Sequence, residues 1–300
     1  MRVILLHNPA AGHLGRPTPT AGELVEAIVA VGHEVSYYST RDPAWKAALH
    51  LEADLVAVAG GDGSVSKVLR RLAGRGVPAT ILPLGAANNV ASAVGIRGEP
   101  RELIPRWSAF RARRFDLGVA CGLRRGKERR FVEGVGGGLF TELLHALDRR
   151  APGLNAAIEQ HEGLAGYVRL LREMLARRDA VPWRIEIDGT DATGRYLLIE
   201  VMNVGLVGPS LPLAPRADPG DGLLDVVLVD EAQRACLEAF LDARAEGCAA
   251  PELPVRRARQ VVLGSRQALL RVDDKVRDAA RTEDVALRVE AGALRLLAPP

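Results

Sequence analysis

Leu55-Val-Ala-Val-Ala-Gly60-Gly61-Asp62-Gly63-Ser64 leads into a run whose apolar residues Val65, Val68, Leu69 and Leu72 fall on one helical stripe. The unbroken apolar stretch Leu55 to Ala59 suits a strand buried on both faces, as in a parallel sheet covered by helices. The glycine loop thus joins a buried strand to a helix at the carboxyl end of a parallel sheet, where α/β proteins usually bind ligands. Residues without Cβ let the backbone approach a phosphate closely, and Ser64 is expected to cap the helix whose N-terminal amides favour an anion. Asp62 is out of character in a phosphate turn. Its charge repels the ligand unless it meets Mg2+, a ligand hydroxyl or a basic side chain, so it points to a metal-assisted phosphate site. The bland alternative is a tight strand-to-helix turn with Asp62 as a local cap.

The same alternation extends outward from this loop. Val3 to His7, Glu34 to Ser39 and Ala79 to Leu82 are expected strands; Ala21 to Val31, Trp45 to Leu51 and Asn88 to Val94 are expected helices. Asn8-Pro9-Ala10-Ala11-Gly12 follows the first strand, and Leu82-Pro83-Leu84-Gly85-Ala86-Ala87-Asn88-Asn89 follows a later one, so three loops converge on one sheet edge. No Gly-x-x-x-x-Gly-Lys-Ser/Thr occurs, and no Gly-x-Gly-x-x-Gly follows the first strand, which argues against P-loop and dinucleotide-binding readings.

From about Arg114 the texture becomes extended segments punctuated by Gly, Asp and Pro. The expected strands are Phe115 to Cys121, Arg130 to Val135, Trp183 to Ile187, Tyr196 to Val201, Leu223 to Val229, Ala258 to Val262, Ala268 to Val272, Ala286 to Val289 and Leu294 to Leu297. A helical insertion is expected between Thr141 and Arg178, with Leu164, Val168, Leu171 and Leu175 on an apolar stripe and several arginines beside it. Packing on the β-rich half is the common fate of such a stripe; a membrane surface is the other.

A net charge of +3 on 300 residues is too small for a typical nucleic-acid binder, so no nucleic-acid partner is expected. Basic clusters at Arg111 to Arg114, Arg124 to Arg130 and Arg256 to Arg259 are solvated faces or contacts to anionic lipid headgroups. Cys121, Cys236 and Cys248 form no metal or disulfide pattern, and the six histidines have no metal-ligand spacing. No run approaches the roughly 20 apolar residues of a membrane span, and Val3 to Leu6 is too short for a signal-peptide core. The expected location is cytoplasmic, with peripheral contact at a membrane.

The ordered motifs Asn-Pro-x-x-Gly, Gly-Gly-Asp-Gly-Ser and Leu-Pro-Leu-Gly-x-x-Asn resemble the catalytic domain of diacylglycerol kinases, sphingosine kinases and related bacterial lipid kinases. The resemblance continues through Asp116-Leu117-Gly118, the glycine-rich Gly134 to Phe140, Asn203 to Gly208, and Asp218-Pro-Gly-Asp221-Gly-Leu-Leu-Asp225. It implies a Rossmann-like α/β domain of the NAD kinase and diacylglycerol kinase type over residues 1–115, and a β-rich, β-sandwich lipid-acceptor domain over 116–300. The implied reaction moves the γ-phosphoryl group of ATP, with Mg2+, onto a hydroxyl of a diacylglycerol- or sphingosine-like lipid. Gly60, Gly61, Asp62, Gly63 and Ser64 then wrap the nucleotide phosphates, and Asn8, Thr40, Gly85 and Asn88 line the cleft. Asp116, Asp218, Asp221 and the carbonyl of Leu223 belong to a metal network of hard oxygen ligands. In Val272-Asp273-Asp274-Lys275, where relatives commonly have Asp-Gly-Glu, Asp273 is the candidate base and Asp274 the fallback; Asp62 is the third catalytic candidate.

Departures gather at these positions. Ser66-Lys67 stands where relatives usually have Asn-Glu, Ala86 replaces a Thr, Asn89 an Asp, and Lys275 a Glu. One reading has Lys67 or Lys275 act as a point charge toward phosphate in compensation. The alternatives are a catalytically impaired homologue that binds nucleotide or lipid, and a NAD kinase, which usually needs the acidic Asn-Glu pair that Ser66-Lys67 lacks.

Overall fold

The computed structural model of the chain describes residues 1–12, 18–123, 127–149, 163–265, 269–277 and 284–300. Part of the Arg124 to Arg130 cluster, the middle of the expected helical insertion, Ala268, His13 and His161 lie outside the described residues. The chain divides into two compact units, Met1–Asp116 with Ala291–Pro300, and Leu117–Glu290.

In the first unit, β1 (Arg2–His7), α1 (Ala21–Ala30), β2 (Glu34–Ser39), α2 (Trp45–Ala48), β3 (Leu55–Gly60), α3 (Asp62–Leu72), β4 (Ala79–Pro83) and α4 (Asn89–Ala93) alternate as expected. The strands pair in parallel in the order β2-β1-β3-β4, and Leu296 near the C-terminus adds beyond β4, in parallel with Ala79. β3 is buried along its whole length, as its continuous apolar run requires. Val65, Val68, Leu69 and Leu72 of α3 are buried, each such side chain stabilising the fold by about 1.5–3 kcal/mol. A capping box starts α1: Thr20 Oγ1 accepts from Glu23 N, and the Glu23 carboxylate accepts from Thr20 N. Register aligns His7 with Ser39 and Ala59, and Gly60 with Pro83, so the loops after β1, β2, β3 and β4 all leave from one edge.

The second unit is antiparallel and β-rich. Its long strand Gly194–Met202 pairs with Gly134–Gly138, Leu224–Asp230 and Val181–Ile187, and Val181–Ile187 pairs on with Gln260–Gly264. Alternation along Leu224–Asp230 sends Val226 and Leu228 into one core with Trp183, Val261 and Leu287, and Val227 and Val229 into another with the helices. The helical insertion comprises Leu139–Arg149 and Gly163–Leu175. Val168, Leu171 and Leu175 are buried among Leu197, Leu198, Leu237 and Phe240, so the apolar stripe packs on the sheet. Its basic side is partly spent as well: Arg172 meets Asp242 at 2.7 Å and Glu238 at 3.4 Å.

Several element boundaries differ from the sequence reading for identifiable reasons. Arg130 to Val135 is two strands, Arg129–Phe131 and Gly134–Gly138, because the Val132 and Glu133 amides between them donate to the Asp273 side chain instead of a ladder. Ala258 to Val262 breaks at Arg259, whose amide goes to the Asp188 carboxylate. The last two expected strands are one, Val285–Ala298, which passes through Gly292 at φ +60°. The helix Arg234–Ala245 was not expected; Asp230 and Gln233 form a capping box just before it, and it buries Leu237, Phe240 and Leu241. Among the described residues no helix is long and apolar enough to cross a membrane.

Candidate active site

Three loops of the first unit meet at the carboxyl ends of β1, β3 and β4. Asn8 Nδ2 donates to Ser64 Oγ at 2.9 Å, while Asn8 Oδ1 accepts from Ala10 N, which ties the β1 loop to the glycine loop. The glycine loop and the β4 loop touch backbone to backbone. A Cβ added to Gly85 would stand 2.6 Å from Gly61 Cα, and one on Gly60 would stand 2.8 Å from Ser64 Cβ, so neither site admits a side chain. Asn88 clasps its own loop: at φ +52° its Oδ1 accepts from Gly85 N at 2.9 Å and its Nδ2 donates to Gly85 O at 2.6 Å. Thr40 is buried, and its amide donates to His7 O at 2.8 Å.

Ser64 does not cap α3. The helix begins two residues earlier, at Asp62, with Gly61 as N-cap, and the Ser64 hydroxyl serves Asn8. Glycine on both sides of Asp62 leaves the backbone at the start of α3 free of side chains there. Asp62 reaches across to the next helix, accepting from Val90 N at 3.0 Å and from the Asn88 and Asn89 amides at the start of α4. Burial pushes its carboxyl above the ordinary value, and the backbone donors only partly offset that. Such a carboxylate gains from a cation.

A cleft of about 430 Å3 opens beside the β4 loop, lined by Thr18, Gly85, Ala86, Asn88, Ser92 and Arg97 among others. Lys67 lies elsewhere: its ammonium sits over the Trp45 ring, 5.3 Å from the centroid, with the Arg71 guanidinium at 5.1 Å. Trp45 is buried, so Lys67 has a packing role at this position.

In the second unit Asp273 and Asp274 form the turn between Leu270–Val272 and Lys275–Arg277. Asp273 is buried at φ +52°, and its Oδ1 accepts from both Val132 N and Glu133 N at 2.9 Å. Asp274 and Lys275 are exposed. The two aspartates thus differ sharply in environment, a distinction their adjacency in sequence hides.

The expected metal residues each have partners of their own within their units. Asp116 is in the first unit, fully buried, and its Oδ1 accepts from Gly292 N at 2.6 Å, fastening the returning C-terminal strand. Asp218 and Asp221 each accept from a turn amide, Gly220 N and Leu223 N respectively, and Asp221 also pairs with Arg257. Asp225, which had no role in the sequence reading, is buried, and burial together with the Asp218 charge raises its carboxyl to about 6. The Asp218 charge thus adds to burial at Asp225, while Asp221 has the Arg257 guanidinium as its partner. The signal was present in Asp218-Pro-Gly-Asp-Gly-Leu-Leu-Asp225, but turn chemistry explained the segment equally well. Among the described residues no group of three or more acidic, His or Cys side chains converges as a ready metal cage.

A parallel α/β unit with a glycine cradle at its strand ends, beside a β-sandwich unit with helical cover, defines the fold class shared by diacylglycerol kinases and NAD kinases. Residues 2–120 match the diacylglycerol kinase catalytic domain, and residues 145–298 match the YegS C-terminal NAD kinase beta sandwich-like domain. The chain belongs to the diacylglycerol kinase superfamily. It is 29% identical over 245 residues to a diacylglycerol kinase of Bacillus subtilis, covering 78% of this chain and 75% of that one. A Mycobacterium tuberculosis diacylglycerol kinase is 28% identical over 252 residues, with 79% and 75% covered. A solved diacylglycerol kinase from Bacillus anthracis superposes with a TM-score of 0.76 at 17% identity, over 100% of this chain and 97% of that one. Yeast NADH kinase shares the fold more distantly, with a TM-score of 0.57 at 12% identity, over 100% and 83%. These relatives support a kinase function.

Proposed function

We propose that the chain is an ATP-dependent lipid kinase that transfers the γ-phosphoryl group to a hydroxyl of a diacylglycerol- or sphingosine-like lipid. The observation that carries this reading is the side-chain-free cradle of Gly60, Gly61 and Gly85, pinned by Asn8, Ser64 and Asn88 at the strand ends. Glycine on both sides of Asp62 leaves bare backbone at the positive end of α3, which suits the phosphates of a nucleotide, and Thr40 and Asn8 are assigned to the same cleft. Phosphoryl transfer depends mainly on positioning and charge neutralisation, and a rigid backbone cradle supplies the first. Asp273, held by two amides, accepts the proton of the lipid hydroxyl. Mg2+, when bound, would neutralise phosphate charge, and Asp62 is the carboxylate suited to hold it at the cradle; Asp218, Asp225 and the Leu223 carbonyl are hard oxygens suited to a cation within the second unit.

The NADH kinase likeness concerns fold alone, and the Ser66-Lys67 pair supplies no carboxylate for a ribose. Lys67 is engaged with Trp45, so compensation by that side chain forms no part of this reading. Purified full-length protein is expected to phosphorylate diacylglycerol in mixed micelles with ATP and Mg2+, and Asp62→Ala is expected to abolish it. Equal activity in the two proteins would remove Asp62 from the site. Stabilisation by NAD but not ATP in a thermal-shift titration would favour the NAD kinase alternative; stabilisation by neither would favour a lipid binder.

A further inference from the structure

Gly134–Gly138 is the middle strand of three. Gly136 stands opposite Glu200 on one side and Arg271 on the other, so these two long side chains leave their strands on either flank of a residue that has none. They meet over it: Arg271 Nη2 donates to Glu200 Oε2 at 2.5 Å, and both side chains are buried. A Cβ on Gly136 would lie 2.3 Å from either Glu200 carboxylate oxygen, so the glycine makes room for the pair.

A further hydrogen bond of the pair leads to Asp273. Arg271 Nη1 donates to the Asp273 backbone carbonyl at 2.6 Å. Asp273 holds a left-handed backbone that an L residue adopts only when its surroundings fix it. Its amide donates to Gly134 O, its Oδ1 takes the Val132 and Glu133 amides, and its carbonyl takes Arg271. The 132–133 bend is fixed in turn by Asn203, whose Nδ2 donates to Val132 O and whose amide donates to Glu133 O. Burial alone would lower the Arg271 pKa, but the Glu200 and Glu133 carboxylates outweigh it and keep the guanidinium charged.

We propose that the buried Glu200–Arg271 pair, seated over Gly136, is a positioning device that locks the Asp273 turn and aims its carboxylate. The catalytic consequence rests on the reading of Asp273 as the base. A buried ion pair of this kind is a poor stabiliser relative to apolar residues of similar volume, which makes a positioning role the better account of its presence.

The test uses the full-length E200L/R271M double variant, in which neither member of the pair is left buried without the other; Glu133 loses the Arg271 charge, and the fold is expected to persist with a melting temperature within a few degrees of wild type. Amide exchange at Val132 and Glu133 is expected to quicken by about 10-fold or more. Turnover of diacylglycerol is expected to fall about 10- to 100-fold in kcat with the KM for ATP unchanged. R271K, which supplies only one of the two donated bonds, should fall between wild type and the double variant. A folded double variant that keeps wild-type protection at both amides overturns the proposal, whether or not the wild type turns over. So does a kcat within about twofold of an active wild type. D273N tests the base separately: full turnover by D273N would refute the base assignment, and with it the catalytic part of this proposal, independently of the exchange result.

Discussion

Gly85→Ala is the most direct probe of the cradle, because the structure gives the size of the insult. The new methyl carbon would lie 2.6 Å from Gly61 Cα and 3.0 Å from Asn88 Oδ1, against about 3.5–4.0 Å for carbon atoms in comfortable contact. The shortfall is thus about 1 Å, and it falls on backbone that has no rotamer by which to yield. Gly85 is not among the positive-φ glycines, so conformational strain adds nothing and the cost is purely steric. Overpacking of this kind costs about 1–3 kcal/mol, or roughly 2–5 °C in melting temperature for a chain of this size. The two loops must part, and a cradle displaced by about 1 Å is expected to lose on the order of 100-fold in turnover. Gly61→Ala, whose Cβ would stand 3.1 Å from Gly85 Cα, is the graded control and should cost about 1 kcal/mol. Differential scanning calorimetry with and without ATP reads the stability loss and the ATP stabilisation, and a diacylglycerol phosphorylation assay reads turnover. A Gly85→Ala protein that melts with the wild type and is stabilised by ATP to the same extent would refute the claim that loop apposition forms the nucleotide site.

Asp62→Ala strands the amides at the start of α4 and should destabilise by about 2–4 kcal/mol in urea unfolding; Asp62→Asn, which keeps an acceptor oxygen, should recover at least half of that. Wild-type stability in Asp62→Ala would show that the carboxylate does not hold α4. Lys67→Ala is expected to lose about 0.5–1 kcal/mol through the Trp45 contact while leaving ATP affinity by calorimetry unchanged; a drop in affinity at constant stability would assign Lys67 to phosphate after all. Burial holds the His7 imidazole below its ordinary value. Its contribution is therefore present above the unfolded pKa of about 6.5 and lost as pH falls through the lower folded value. Thermal scans at pH 5 to 8 should show His7→Gln losing less stability on acidification than wild type, by no more than about 1 kcal/mol; parallel pH curves would contradict this.

The first unit was almost wholly legible because its inner strands β1, β3 and β4 are buried on both faces and its main helices carry stripes, so composition alone separates them. Leu55 to Gly60 and the face of Val65, Val68, Leu69 and Leu72 needed no tertiary knowledge. Legibility fell in the second unit, where side chains distant in sequence decide where strands stop. Asp273 ends one strand near Val132, Asp188 breaks another at Arg259, and Asp116 takes the amide of Gly292, which a strand crosses rather than ends at. Each partner lies at least 71 positions away. No local propensity encodes that.

Glycine shows the same division at the level of chemistry. Gly60, Gly61, Gly85 and the run from Gly134 to Gly138 are one residue type in two dense clusters, and the reason for each lies in what occupies the missing Cβ. At Gly61 and Gly85 it is the other loop's backbone, so the residues exist to bring two chains together at an open edge. At Gly136 it is the Glu200 carboxylate, and at Gly137 the Trp183 ring, so those glycines accommodate neighbours within a closed sheet. Sequence alone finds both clusters, reads the first as a phosphate loop and gives the second no role of its own. Only the registers Glu200 to Gly136 and Arg271 to Gly136 reveal that the second cluster houses a charged pair, and only the bond from Arg271 to the Asp273 carbonyl connects that pair to a candidate base. A glycine-rich segment in a β-rich domain is therefore best interpreted by asking which side chains cross over it.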